Sequence, residues 1–137
     1  MRTISSLSGL LCLGLLVACS KYLEVRVFNR TGSSIRVCSI SEGSDCIDLK
    51  AGFSAGTMSW KQGQFTVEDH GCKRQYQVPA IKNLDDFRES SSEPVNVVVT
   101  EAYELQLVPK GQKPEVSSKE RQPPGFPLAP ASSSACK

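Results

Sequence analysis

The sequence predicts a small all-β domain, an antiparallel β-sandwich of about seven or eight short strands. Three observations predict it. Short apolar runs alternate with polar residues at period two, not at the 3.6-residue period of a helix. Turn residues interrupt them every eight to twelve residues or so. In three places two runs flank a turn so that one register pairs compatible side chains across it.

Residues 22–28 alternate, with Leu23, Val25 and Val27 on one face, as in a strand with one buried side. Residues 29–34 are a turn cluster. Residues 35–40 and 45–49 flank Ser41-Glu42-Gly43, read as a hairpin loop with Gly43 left-handed. Counting outward, Ile35 faces Leu49 and Val37 faces Ile47 on the apolar side. On the other side Arg36 faces Asp48 and Cys38 faces Cys46. Residues 51–56 read as a loop and 57–60 as a short strand. Residues 64–69 and 72–78 flank the two-residue turn His70-Gly71. There Phe65 faces Tyr76 and Glu68 faces Lys73. Val67 faces Arg74, a misfit that suggests a sheet edge, with the arginine stem on the core and its head in water.

Residues 79–94 change character. Asn83 is placed to cap one or two helical turns over 84–89, with Asp85 and Asp86 in the first turn, where carboxylates are favoured. This segment is expected to cross from one sheet to the other. A third hairpin, 95–99 and 103–107 around 100–102, pairs Val99 with Tyr103, Val97 with Leu105 and Val95 with Leu107. The whole pattern points to a sandwich of immunoglobulin-like or transthyretin-like kind. It spans residues 19–109, preceded by 1–18 and followed by a tail, 110–137. The tail holds Pro114, Pro123, Pro124, Pro127, Pro130 and several serines, has no apolar period, and reads as extended or disordered.

Residues 1–18 have the form of an export signal. Arg2 supplies positive charge, and an apolar stretch follows from Leu7 to Val17, too short to span a bilayer, which takes roughly 20 residues. It ends in Leu16-Val17-Ala18-Cys19. This stretch resembles the lipobox of bacterial lipoproteins, a leucine, two small residues and a cysteine. The resemblance covers the first 19 residues only. It implies cleavage before Cys19, diacylation of its thiol, and attachment to a membrane. Ser20 in place of an aspartate implies the outer membrane of a two-membrane bacterium, facing the periplasm. Two or three acyl chains, at about 0.8 kcal/mol per buried methylene, hold firmly where one does not. Only Ser20 and Lys21 then separate the lipid from the first strand, so the body starts within about 10 Å of the bilayer surface. In such a chain the Asn29-x-Thr31 glycosylation pattern has no expected use.

Of six cysteines, Cys12 lies in the signal and Cys19 is the lipidation site. Cys38, Cys46, Cys72 and Cys136 remain, an even number in an exported chain, which predicts two disulfides. The hairpin register pairs Cys38 with Cys46, and elimination leaves Cys72 with Cys136. The tail is therefore either a strap tied back to the body or a free arm, and Cys136 decides which. Untied and extended it could reach about 85 Å. No Cys-x-x-Cys spacing suggests zinc.

The net charge of +2 argues against a nucleic-acid partner held by phosphate contacts. His70 is the single histidine, and Asp69-His70-Gly71-Cys72 puts three potential ligands close together, but at a turn. No serine or threonine lies in a nucleophile motif, and Asp85 and Asp86 diverge on a helix. The expectations are therefore no catalytic residues, no metal and no cofactor. The leading functional expectation is a non-catalytic binding or assembly module in an envelope protein complex, held to the membrane by its N-terminal lipid. The alternatives are an inhibitor or immunity lipoprotein that blocks a periplasmic enzyme with the hairpin tip 41–44, and an envelope hydrolase or metal site around His70.

Overall fold

In a computed structural model of the chain, two β-sheets pack face to face; the structure describes residues 23–39, 45–60, 63–116, 119–134 and 136. The export signal, the lipobox with Cys19, and the hairpin tip 41–44 lie outside the described residues. Among the described residues nine strands form: β1 Leu23–Asn29, β2 Ile35–Ser39, β3 Cys46–Leu49, β4 Ala55–Trp60, β5 Gly63–Asp69, β6 Cys72–Val78, β7 Val95–Val99, β8 Leu105–Leu107 and β9 Ser132–Ser134. One sheet has the order β4-β1-β7-β8 and the other β3-β2-β5-β6-β9. Every pairing is antiparallel except β1 with β7.

Alternation builds the core. Val25, Val27, Val95, Val97, Val99, Leu105 and Leu107 point inward from the first sheet. Ile35, Val37, Leu49, Phe65, Val67 and Tyr76 meet them from the second. The aromatic rings of Trp60, Phe65 and Tyr76 run in series through this layer, with centroid separations of 4.7 and 5.8 Å.

The first two hairpins have the registers that the side-chain pattern predicts. Ile35, Arg36, Val37 and Cys38 face Leu49, Asp48, Ile47 and Cys46. Phe65, Val67 and Glu68 face Tyr76, Arg74 and Lys73. The third hairpin differs by two residues: Val99 faces Leu105 and Val97 faces Leu107. Tyr103 is not a strand residue. It takes a left-handed conformation (φ 58°) in a five-residue connection, 100–104, closed by bonds between Thr100 and Glu104.

β4 starts at Ala55, earlier than the sequence suggests, because the ladder with β1 continues through Asn29 N–H donating to the Ser54 carbonyl (2.8 Å). Gly56 on β4 faces β3 closely. A Cβ there would lie 3.0 Å from Ile47 Cδ1 and 3.1 Å from Leu49 Cδ2. Gly56→Val should therefore force β3 and β4 apart and destabilise the domain by about 1–3 kcal/mol. Urea denaturation measures this; an unchanged midpoint would mean that β3 moves aside freely.

Residues 79–94 do carry the chain from β6 in one sheet to β7 in the other. The helical piece is a single 3-10 turn, Leu84–Phe87, pinned by buried Phe87. Asn83 does not cap it through its side chain. Its backbone is left-handed (φ 57°), whereas a capping residue needs an extended backbone to aim its oxygen at the first turn.

The tail folds back. Leu128 and Leu105 exchange backbone bonds (2.9 Å each way), β9 adds to the edge of β6, and Cys136 is joined to Cys72. Cys38 is joined to Cys46. The tail is thus a closed strap, and it supplies the ninth strand that the body alone lacks.

Candidate functional site: the loop end opposite the start of β1

The registers define two ends. At the near end lie the start of β1 (Leu23 beside Trp60), the end of β2, the start of β3 and the end of β6. At the far end lie four connections: 30–34, 50–54, 70–71 and 100–104. Three of them hold a non-glycine residue with positive φ: Phe53 (67°), His70 (46°) and Tyr103 (58°). Such backbones are uncommon for bulky side chains and persist where surrounding contacts enforce them.

The Tyr103 contacts are explicit. Its hydroxyl donates to Asp69 Oδ2, in a short hydrogen bond. Its carbonyl accepts from the Tyr76 hydroxyl (2.6 Å). The Arg74 guanidinium lies over its ring at 3.6 Å from the centroid, a cation–π contact. Arg74 Nη1 also donates to Asp69 Oδ1 at 2.8 Å. The side chains of Arg74 and Asp69 are 17% and 5% exposed.

Arg74 is therefore not an edge residue with its head in water. β9 lies beyond β6, and the guanidinium is held between a carboxylate and an aromatic face. The misfit opposite Val67 is the stem of a half-buried polar network.

Burial pushes the Asp69 carboxyl up, but hydrogen bonds from Tyr103 and Arg74, with the arginine charge, outweigh it and hold the carboxyl below its usual range. Burial raises the Tyr103 hydroxyl, and its bond to Asp69 raises it further. Burial raises Tyr76 as well. At neutral pH the network is one carboxylate, one guanidinium and two protonated phenols, each with a partner. None is a free base or nucleophile.

Beside the network is an open groove of about 290 Å³, with Ile35 and Leu49 in its floor and Arg36, Asp48, Lys50, Glu68 and His70 around its rim. Arg36 and Asp48 pair loosely (3.8 Å) and stay exposed. Asn29, 1% exposed, braces the adjoining loops. Its amide donates to the carbonyls of Ser33 (2.7 Å) and Lys50 (3.0 Å), and its Oδ1 accepts from Thr31 N (3.0 Å) and Thr31 Oγ1 (2.7 Å). The Asn29-x-Thr31 pattern is thus a buried loop clasp, with the amide already in use. Phe53 stacks on Phe28 (5.8 Å) at the outer side of the same end.

His70 is exposed at its turn, but its two potential co-ligands are engaged elsewhere: Asp69 with Arg74 and Tyr103, Cys72 with Cys136. Asp85 pairs with Arg88 (2.6 Å), and the backbone carbonyl of Asp86 accepts from Lys110 N–H (2.7 Å). Among the described residues no group of three His, Cys, Asp or Glu side chains is placed to hold a metal ion. Sequence reasoning placed Tyr103 in the third hairpin opposite Val99 and missed its contacts with Asp69 and Arg74. The available signal was the pairing of Arg74 with an apolar partner, five residues from an aspartate across a tight turn.

No family model, curated protein or solved structure matches this chain, so its own geometry is what bears on function.

Proposed function

We propose that this chain is a lipoprotein, anchored at Cys19 in the outer membrane and facing the periplasm, that serves as a non-catalytic binding or assembly module for an envelope protein complex. The observation that carries the reading is the separation of its two ends. β1 begins at the near end, next to Cys19 in sequence, while the groove and the three left-handed loop residues are at the far end. An anchor at Cys19, with three residues between it and the start of β1, would present the far end to the periplasm. There the titratable groups with perturbed values are locked in structural pairs, and the exposed charges rim a shallow groove. This suits a recognition surface better than a reaction centre.

The inhibitor reading has less support. Ser39 and Asp45 bond to each other (2.9 Å) at the near end, the end that an anchored chain would turn toward the lipid and not toward a soluble target.

Site-specific photocrosslinking tests the proposal. Probes replacing His70 and Lys50 at the far end, and Asp45 at the near end, are compared in intact cells, with recovery from detergent-solubilised membranes. Envelope-complex subunits captured from the two far-end probes, and not from Asp45, are the expected outcome. Equal capture from both ends would overturn the placement of the site, and a single soluble enzyme captured at Asp45 would favour the inhibitor reading. Cys19→Ser should move the chain to the soluble fraction; retention in the membrane would remove the anchor.

A further inference from the structure

The strap is held unevenly. Its middle part is packed: Phe126 is 8% exposed, Leu128 bonds Leu105 in both directions, and the Gln122 side-chain amide serves the backbone of Leu107, accepting from its N–H and donating to its carbonyl (2.8 Å each). Beyond Pro130 the packing ends. Ser132, Ser133 and Ser134 are all exposed. They touch the body through pairing with Gln75, Arg74 and Lys73, together with a bond from Ala131 N–H to the Gln75 carbonyl (2.7 Å) and one between Ser132 Oγ and the Gln75 side chain (3.2 Å). Exposed backbone hydrogen bonds roughly offset the entropy of ordering the residues that make them, and no apolar side chain adds to β9. What holds β9 in place is the covalent link after it, Cys72–Cys136, whose outer residue Cys136 is exposed while Cys72 is 6% exposed.

We infer that Cys72–Cys136 is a redox latch: opening it releases β9 alone and bares the edge of β6, while the rest of the strap and the sandwich stay folded. The opener is a dithiol reductant. Its thiolate attacks Cys136 Sγ, the reachable sulfur, and the bond to Cys72 breaks. Cys72 leaves as a thiolate and takes a proton from water. The second thiol of the reductant then displaces Cys136, so the reductant ends as a disulfide and two electrons pass to the cysteine pair. The Gln75 carbonyl faces the strap, so by strand alternation the amides of Lys73 and Gln75 face it too. Once bared, they form an unpaired edge of the kind that accepts an added strand. Oxidation keeps the second sheet closed on that side; reduction opens it. The inference does not depend on the lipid anchor.

Amide hydrogen exchange on the full chain in detergent tests it. Four samples are compared: the oxidised chain, the chain treated with dithiothreitol, Cys136→Ser, and the double variant Cys38→Ser with Cys46→Ser. Lys73 and Gln75 should exchange about tenfold faster or more in the dithiothreitol and Cys136→Ser samples, with Val25, Phe65 and Val97 unchanged. In the double variant, which retains the latch, they should stay protected. Continued protection of Lys73 and Gln75 in Cys136→Ser would show that β9 holds without the bond. Faster exchange of Val25, Phe65 and Val97 alongside them would show that the bond supports the whole domain. Either result overturns the latch.

Discussion

Asp69→Ala is expected to lower the stability of the domain by about 3 kcal/mol at neutral pH. The substitution removes no apolar contact of note. Its effect comes from what stays behind: the Arg74 guanidinium, mostly shielded from water, loses its only ion-pair partner among the described residues, and the Tyr103 hydroxyl loses its acceptor. Truncating one side of such a pair is harmful because the other charge remains in place. Asp69→Asn keeps one acceptor oxygen, enough for Tyr103, but loses the charge and the second acceptor that Arg74 uses, so an effect smaller than that of Asp69→Ala but still above about 1 kcal/mol is expected. Urea unfolding measures both. A change below about 1 kcal/mol for Asp69→Ala would mean that water replaces the carboxylate without penalty.

The pH dependence has a defined sign. The Asp69 carboxyl is lower in the folded chain than in the unfolded one. Its contribution is therefore complete above about pH 4 and is lost as pH falls through the folded value. Tyr103 is shifted the other way, so its contribution is complete below about pH 10 and is lost in stronger alkali. Asp69→Asn should flatten the acid limb of the stability profile; an acid limb identical to the wild type's would place its origin in other carboxylates.

Phe65→Ala should be at least as damaging, by about 3–5 kcal/mol. Phe65 is 1% exposed, sits between the rings of Trp60 and Tyr76, and faces Tyr76 across the β5–β6 hairpin. Its removal leaves a void between two rings, Trp60 of β4 and Tyr76 of β6, that separate strands hold apart. Phe65→Leu refills most of the volume and should recover more than half of the loss. The unfolding midpoints of the two variants separate a cavity effect from a general intolerance at this position, because the second would leave Leu no better than Ala.

The legible parts of this fold share one physical property. A two-residue turn with both residues at positive φ fixes its register, and His70-Gly71 was readable for that reason. Around 41–43, three independent pairings (apolar, charged and cysteine) coincided in one register. The third hairpin lacked such redundancy. Its inward face is valine on one strand and leucine on the other, so a shift by two residues keeps every inward pair apolar, and nothing local revealed that Tyr103 leaves the strand to meet Asp69. That contact spans 34 positions and depends on the packing of two sheets. The same holds for Arg74, whose partner ring comes from the opposite sheet's connection. The tail shows a related limit: its prolines and serines carry no strand signal, and β9 forms because β6 presents an edge and a cysteine, not because three serines favour a strand.

The parallel pairing of β1 with β7 has a mechanical consequence. β1 is an interior strand, bonded along one side to β4 and along the other to β7. A pull applied between the start of β1 and the far-end loops acts along the strand axis. Such a load strains two full ladders of hydrogen bonds at once, in shear, instead of unzipping them one after another. A terminal strand at a sheet edge would peel away under the same load. The geometry suits the domain to bear tension between the start of β1 and its far-end loops.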